Sequence, residues 1–321
     1  MANQTHVLVL GGGPDAEREV SIKSSTGIAE ALRAGGEYEV TLNIIDQPTA
    51  KEIAEMPGDV VFPYLHGPWG EGGPLQDLLE SAESGGAGAA RGRPFVGSNA
   101  RASRAAMDKI HTKQVALELG IPTPAFWVLS TRDSVCPSPL PVVIKPIHEG
   151  STIGLHVCTS RAEYAAAIEA VKKDQAGGLQ RPYMVEPKVG GDKGARELTV
   201  GFIDGEALPV IEIRPKQGLY DYEAKYTRDD TQYLMENQID VPEATIKKIK
   251  KQTARLCKAM GIRHIARTDF MLDGDGIAWL LEVNTTPGFT DHSLVPKAAR
   301  YGGIETPALC NRLVAMALRD Q

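Results

Sequence analysis

The segment Arg267-Thr-Asp-Phe-Met-Leu-Asp-Gly-Asp-Gly-Ile-Ala-Trp-Leu-Leu-Glu-Val-Asn284 restricts the chain more than any other stretch. Two runs of strand-forming residues flank a turn that is half glycine, the strongest short-range signal for a β-hairpin. A two- or four-residue turn centred on Gly274-Asp275 sets Arg267 opposite Glu282. Strand side chains alternate between faces, so Phe270, Leu272, Ile277, Trp279, Leu281 and Val283 are expected on a core face. The other face then carries Arg267, Asp269, Leu280, Glu282 and Asn284. Two carboxylates and an amide oxygen are hard donors of the kind Mg²⁺ takes, with phosphate oxygens and waters completing its shell. Read alone, the same face is also a solvated surface with an incidental Arg–Glu pair. The Pro287-Gly288 turn that follows leads to Ser293 and Leu294, where backbone N–H groups could receive an oxyanion or carboxylate.

The first third has a different rhythm. Val7-Leu8-Val9-Leu10 is a short apolar run closed by Gly11-Gly12-Gly13, as in a parallel strand buried on both faces. A helical pattern over 18–32 follows, then strands at 38–45 and 59–65 and a helix at 74–83 with Leu75, Leu78 and Leu79 on one stripe. This order predicts a doubly wound parallel sheet. A second unit begins near Ala105, with a helix to Leu119, strands at 125–129 and 142–145, a helix at 161–173 and a strand at 183–186. A third has strands at 197–203 and 207–213, a polar, tyrosine-rich stretch at 220–233 that reads as an Ω-like lid, and a helix at 242–260 before the hairpin. The expected division is 1–104, 105–187 and 188–321, with the lid at 214–232.

Charge and composition exclude several classes. Thirty-five basic and 41 acidic residues give −6 at pH 7, which argues against a general nucleic-acid-binding surface but not against one local basic pocket. No apolar run approaches the ~20 residues that span a bilayer, and MANQTHVLVL reaches its glycines too soon for a signal peptide. A cytoplasmic protein without a membrane partner is expected. The four cysteines, Cys136, Cys158, Cys257 and Cys310, are scattered and form no CxxC pair.

Six motifs then stand in order. They are Ala16-Glu-Arg-Glu-Val-Ser21, His66-Gly-Pro-Trp-Gly-Glu71, Met107-Asp-Lys109, Lys145-Pro with Glu149-Gly-Ser-Thr-Ile-Gly154, Tyr220-Asp-Tyr-Glu-Ala-Lys-Tyr226, and the hairpin with Thr286-Pro-Gly288 and His292-Ser-Leu294. Together, over about 7–299, they resemble the D-alanine–D-alanine ligases of the ATP-grasp superfamily. Gly72, where the family usually has Asp, and a longer loop at 190–195 depart from the pattern. The resemblance implies an α/β fold with α+β elements, an N-terminal doubly wound parallel-sheet domain plus two domains clamping ATP between antiparallel sheets. It implies that ATP phosphorylates the carboxylate of one D-alanine and that the amine of a second displaces phosphate, forming the dipeptide of peptidoglycan precursors.

Residue roles follow from the same resemblance. Lys109, Lys145 and Lys225 would meet ATP phosphates, with backbone N–H groups of Gly150, Ser151 and Thr152. Glu186, the Pro187 carbonyl and the Lys188 N–H would read adenine, and Glu197 the ribose hydroxyls. Glu17 would take the ammonium of the first D-alanine, in a hydrogen-bonded group with Ser151 and Tyr226, and His66 would lie near its carboxylate. Arg267 and the Gly288 N–H would stabilise the tetrahedral oxyanion, while Ser293 and Leu294 hold the second carboxylate. Two Mg²⁺ (or Mn²⁺) would sit on Asp269, Glu282 and Asn284. Relatives that make D-alanyl-D-lactate lack the tyrosine-bearing lid pattern, so an amine is expected as second nucleophile. A homodimer is implied too. Two other readings remain at this point: an ATP-grasp ligase with a different acceptor amino acid, and a non-catalytic nucleotide-binding homologue.

Overall fold

The computed structural model describes residues 4–81, 93–132, 135–150, 152–177, 181–191, 194–216, 231–290 and 293–320. At the N-terminus, strands β1 (His6–Gly12), β2 (Glu39–Ile45) and β3 (Val60–Pro63) form a parallel sheet in the order β2-β1-β3. Alternate residues of β1 feed two cores. Val7 and Val9 pack with Ile28 and Leu32 of helix α1 (Arg18–Gly35), and Leu8 and Leu10 pack with Ile53 of α2 (Ala50–Glu55) and Leu75 and Leu79 of α4 (Pro74–Ser81). Both faces are therefore covered, as the unbroken apolar run requires. A short helix, α3 (Gly67–Glu71), follows β3 at the carboxyl edge of this sheet.

The helix expected from Ala105 to Leu119 is two helices, α5 (Ala100–Met107) and α6 (Lys109–Glu118). Asp108 breaks it: its backbone is extended (φ −80°, ψ 102°), its N–H donates to Arg104 O at 3.2 Å, and its carboxylate accepts the His111 N–H at 3.0 Å. Aspartate closing one helix and capping the next is what its short acceptor side chain favours. The chain then forms an antiparallel sheet in the order β4-β7-β5-β6, from β4 (Trp127–Val128), β5 (Val142–Pro146), β6 (His156–Cys158) and β7 (Tyr183–Pro187). Helix α7 (Arg161–Ala176) covers its back through Tyr164, Ala167, Ile168 and Val171.

A second antiparallel sheet, order β10-β9-β8-β11-β12, contains β8 (Arg196–Ile203), β9 (Glu206–Arg214), β10 (Gln232–Met235), β11 (Ile265–Leu272) and β12 (Ala278–Asn284). Helix α8 (Glu243–Ala259) lays Ile246, Ile249, Leu256 and Cys257 on it. Two helices absent from the sequence reading, α9 (Leu294–Tyr301) and α10 (Thr306–Arg319), end the chain. Leu309, Leu313, Val314 and Ala317 of α10 share one core with Val7, Val9 and α1.

The hairpin corrects the expected register. Arg267 pairs with Asn284 rather than Glu282, and Asp269 pairs with Glu282. The ladder then slips, so that Phe270 pairs with Leu280 and Leu281 is an extra residue, a β-bulge. The faces change accordingly. Leu280 is fully buried in the core, whereas Ile277 is 39% exposed, and Leu281 and Glu282 in succession face the same side. Trp279 also leaves the core face and donates its indole N–H to Asp273 Oδ2 at 2.7 Å. The turn spans three residues, 274–276, with the Asp273 N–H donating to Ile277 O at 3.0 Å and Gly276 at φ 77°. A Cβ on Gly276 meets nothing within 4 Å, so Gly276→Ala should cost only the left-handed backbone penalty of about 1 kcal/mol. Urea denaturation should show a lower midpoint at unchanged slope; an unaltered midpoint would refute this turn geometry.

Candidate active site

A cavity of about 670 Å³ lies between the two antiparallel sheets. Val143 and Lys145 of β5 and Glu186 of β7 line one wall; Met271 and Asp269 of β11 and Leu281 and Glu282 of β12 line the other. The bulge makes this possible: strict alternation would have sent either Leu281 or Glu282 into the core.

Lysines gather at the polar end. Lys145 Nζ lies 2.6 Å from Glu186 Oε1, and Lys113 Nζ lies 2.7 Å from Glu186 Oε2. Burial alone would raise the Glu186 pKa, but the two ammonium groups together hold it below the ordinary carboxylate value. Lys113 has the opposite balance. Burial pushes its ammonium down to about 8 against the pull of Glu186, and the neighbouring Lys145 charge lowers it further. Lys109 lies 3.3 Å from Glu282 Oε2 and donates to the Glu149 carbonyl. The motifs do not mark Lys113, although it sits one helical turn beyond Lys109 on α6 and therefore shares its face.

Asp269 and Glu282 face each other across β11 and β12. Arg267 grips Asp269 through two N–H groups, Nε to Oδ1 at 2.9 Å and Nη2 to Oδ2 at 2.7 Å, and the Thr199 hydroxyl adds a third bond to Oδ1 at 2.7 Å. Asn284 stands opposite Arg267, and its Oδ1 accepts the Thr286 N–H at 2.8 Å. Adjacent carboxylates lining a cavity, each met by one cationic side chain, are a donor set that fits a divalent cation.

A second polar cluster abuts this cavity. Glu17, His66 and Glu71 are all buried beyond the carboxyl ends of β1 and β3, where open α/β sheets place ligands. A Cβ on cavity-lining Gly150 would lie 3.6 Å from Glu17 Oε2, so the two regions touch. Burial pushes the His66 pKa down, against the pull of Glu17 and a hydrogen bond to the Thr286 backbone, and Nε2 has no hydrogen-bond partner among the described residues. Glu71 is pushed up to about 8 by burial, then by the Glu17 charge, although the Gly67 N–H donates to it at 3.1 Å. The sequence motif contained Glu71, but only its burial shows that it is a neutral acid at pH 7.

The loop after the hairpin closes over this cluster. The Tyr64 hydroxyl donates to the Pro287 carbonyl, and its ring meets Phe289 edge-on at 5.4 Å. Ser293 stands at the N-terminal end of α9, its Oγ accepting the Thr290 N–H at 2.9 Å, and a Cβ on Gly288 would come within 2.9 Å of that oxygen. Leu294 opens the helix. Thr152, Lys188 and Glu197 line the cavity. The Lys188 N–H, expected to face an adenine edge, instead donates to Pro141 O at 3.0 Å, and its ammonium donates to Gly191 O at 2.7 Å. Ser151, Lys225 and Tyr226 lie outside the described residues, as does most of the lid. The ends of that segment are described, and Arg214 and Gln232 are direct strand partners.

A family model described as the D-Ala D-Ala ligase C-terminus matches residues 117–315. A D-alanine–D-alanine ligase of Ectopseudomonas mendocina is 40% identical over 96% of this chain and 93% of its own length. The chain belongs to the D-alanine–D-alanine ligase family. Another member, from Stutzerimonas stutzeri, is 42% identical over 93% of this chain and 90% of its own. Among solved structures, the Bacillus anthracis ligase complexed with ATP superposes with a TM-score of 0.79 at 28% identity, covering 99% of this chain and 98% of that one. The Coxiella burnetii ligase shares the fold, with a TM-score of 0.79 at 24% identity over 99% and 95% of the two chains. The parallel sheet followed by two facing antiparallel sheets is the ATP-grasp architecture of this family. Among the described residues no helix is long and apolar enough to cross a membrane.

Proposed function

We propose that this protein joins two D-alanine molecules, with ATP converted to ADP and phosphate. The observation that carries this reading is the meeting of Lys109 of α6 with Lys145, Asp269 and Glu282 from facing sheets on one cavity that touches the buried Glu17 cluster. The D-alanine carboxylate attacks the γ-phosphorus and ADP leaves, giving an acyl phosphate. The amine of the second D-alanine, having shed a proton, then forms the C–N bond as the C–O bond to phosphate breaks. No side chain becomes covalently attached, so the protein's contribution is position and charge.

In this reading Lys109, Lys145 and Lys225 offset phosphate charge, with Gly150, Ser151 and Thr152 supplying the loop beside it. Glu186 and Lys188 lie at the adenine end and Glu197 at the ribose. Glu17 receives the first ammonium, with Ser151 and Tyr226 completing its group. A neutral, buried His66 suits a place beside the first carboxylate, offering hydrogen bonding without a competing charge. Arg267 and the Gly288 N–H meet the oxyanion, and Ser293 with the Leu294 N–H meets the second carboxylate. Asp269, Glu282 and Asn284 would hold two divalent cations, Mg²⁺ or Mn²⁺, which supply charge neutralisation at the phosphates when bound. The division at 1–104, 105–187 and 188–321, a homodimer, a cytoplasmic location and a role in peptidoglycan precursor synthesis belong to the same proposal. Its support for the division is that each span holds its own sheet.

The test is phosphate release from ATP by the purified protein with D-alanine, D-serine, D-lactate or L-alanine. D-Alanine should be turned over at least tenfold faster than the others. Equal turnover with L-alanine would overturn the reading.

A further inference from the structure

Two lysines on one carboxylate leave the Lys113–Glu186–Lys145 group with a net positive charge at the cavity wall. Lys113 itself is not a wall residue, for its side chain is 0% exposed. It also reaches across the molecule. Its Nζ donates to Thr123 Oγ1 at 2.9 Å, and that hydroxyl donates to Leu280 O at 2.8 Å, two residues before Glu282. Leu280 N–H in turn donates to Pro122 O at 2.8 Å. Helix α6 therefore ties both walls: Lys109 binds Glu282 of one sheet, and one turn later Lys113 binds Glu186 of the other. A fully buried ammonium is costly, and here its charge is larger than the carboxylate beside it requires, since Lys145 alone would neutralise Glu186.

We propose that Lys113 is a positioning residue for the nucleotide: by sharing Glu186 with Lys145 from behind, it leaves the group at the cavity wall with the surplus positive charge that a polyphosphate needs. This rests on the proposed ATP-dependent ligation. Removing the Lys113 charge makes the Lys145–Glu186 pair neutral, so the wall loses the surplus charge it offers an anion. Glu186 keeps one cationic partner, so the fold should survive.

Lys113→Met, which preserves chain length and apolar bulk, should raise the Kd for ADP, measured by titration calorimetry, at least tenfold. It should raise KM for ATP by a similar factor while KM for D-alanine moves less than threefold. Lys113→Gln, which can still donate to Glu186 but carries no charge, should show the same split and serves if the methionine variant does not fold. A purely structural role would lower the melting temperature and disturb both KM values alike. Unchanged ADP binding in either folded variant, or a parallel rise in both KM values, would overturn the proposal while wild-type ligation stands. Failure of the wild type to bind ADP or turn over D-alanine would overturn the functional reading itself, and this role with it.

Discussion

Glu282→Gln should lower kcat for D-alanine-dependent phosphate release on the order of 10³-fold while leaving the protein as stable as before. The loss follows from the geometry of the hairpin: Glu282 and Asp269 are cross-strand partners on the cavity wall, and the proposed cation site would lose one of its two carboxylates. The stability follows from the same pairing. Like charges directly opposite on a sheet repel, so an amide at 282 relieves Asp269 when no cation is bound and offsets the lost ion pair with Lys109. A binding readout separates the cation site from activity. Mg²⁺ with ADP should raise the melting temperature of the wild type through preferential binding to the folded state, and the variant should lose most of that shift. Turnover within tenfold of wild type, or a fully retained Mg²⁺-dependent shift, would refute the assignment of Glu282.

Glu71→Gln should make the protein more stable than wild type at pH 9 and leave it nearly unchanged at pH 5. Burial and the neighbouring Glu17 charge push the Glu71 carboxyl up to about 8. An unfolded glutamate ionises near its ordinary value of 4.5, so between those two values the folded state holds the proton that the unfolded state has released. Stability then falls as pH rises through that window and levels above it. The accumulated penalty is on the order of 5 kcal/mol for this fully buried group. Glutamine imitates the neutral acid, retains an oxygen for the Gly67 N–H, and removes the penalty. Urea melts at the two pH values would show a gap that opens with pH. An equal difference at both, or a wild type that gains stability towards pH 9, would contradict the neutral acid.

What the sequence made legible depended on how local its cause was. β1 could be read because four apolar residues run into three glycines, and β8, β9 and β11 because their patterns are short and uninterrupted. The hairpin is legible as a hairpin, yet alternation assigns Ile277, Trp279, Leu280 and Leu281 to the wrong faces, because it cannot reveal one extra residue in a ladder. The break at Asp108 was a capping event inside a helix-compatible run. The site divides along the same line. Motif lysines and acids could be named from their order, but Lys113 gains its meaning only from Glu186, some seventy residues away, and Glu71 only from what surrounds it. The Lys188 N–H was committed to Pro141 by strand pairing between distant segments.

The core shared by β1, α1 and α10 bears on how the chain is made. Val7 and Val9 emerge from the ribosome long before Leu309, Leu313 and Val314, the residues that cover the same core from the other end of the chain. At a typical synthesis rate of about 5–20 residues per second, that interval is roughly 15–60 s. Through it α1 alone covers that side of the nascent β-sheet, so part of its apolar surface stays open to association. Completion of the last helix is thus the step at which the N-terminal third first becomes safe from association with its neighbours.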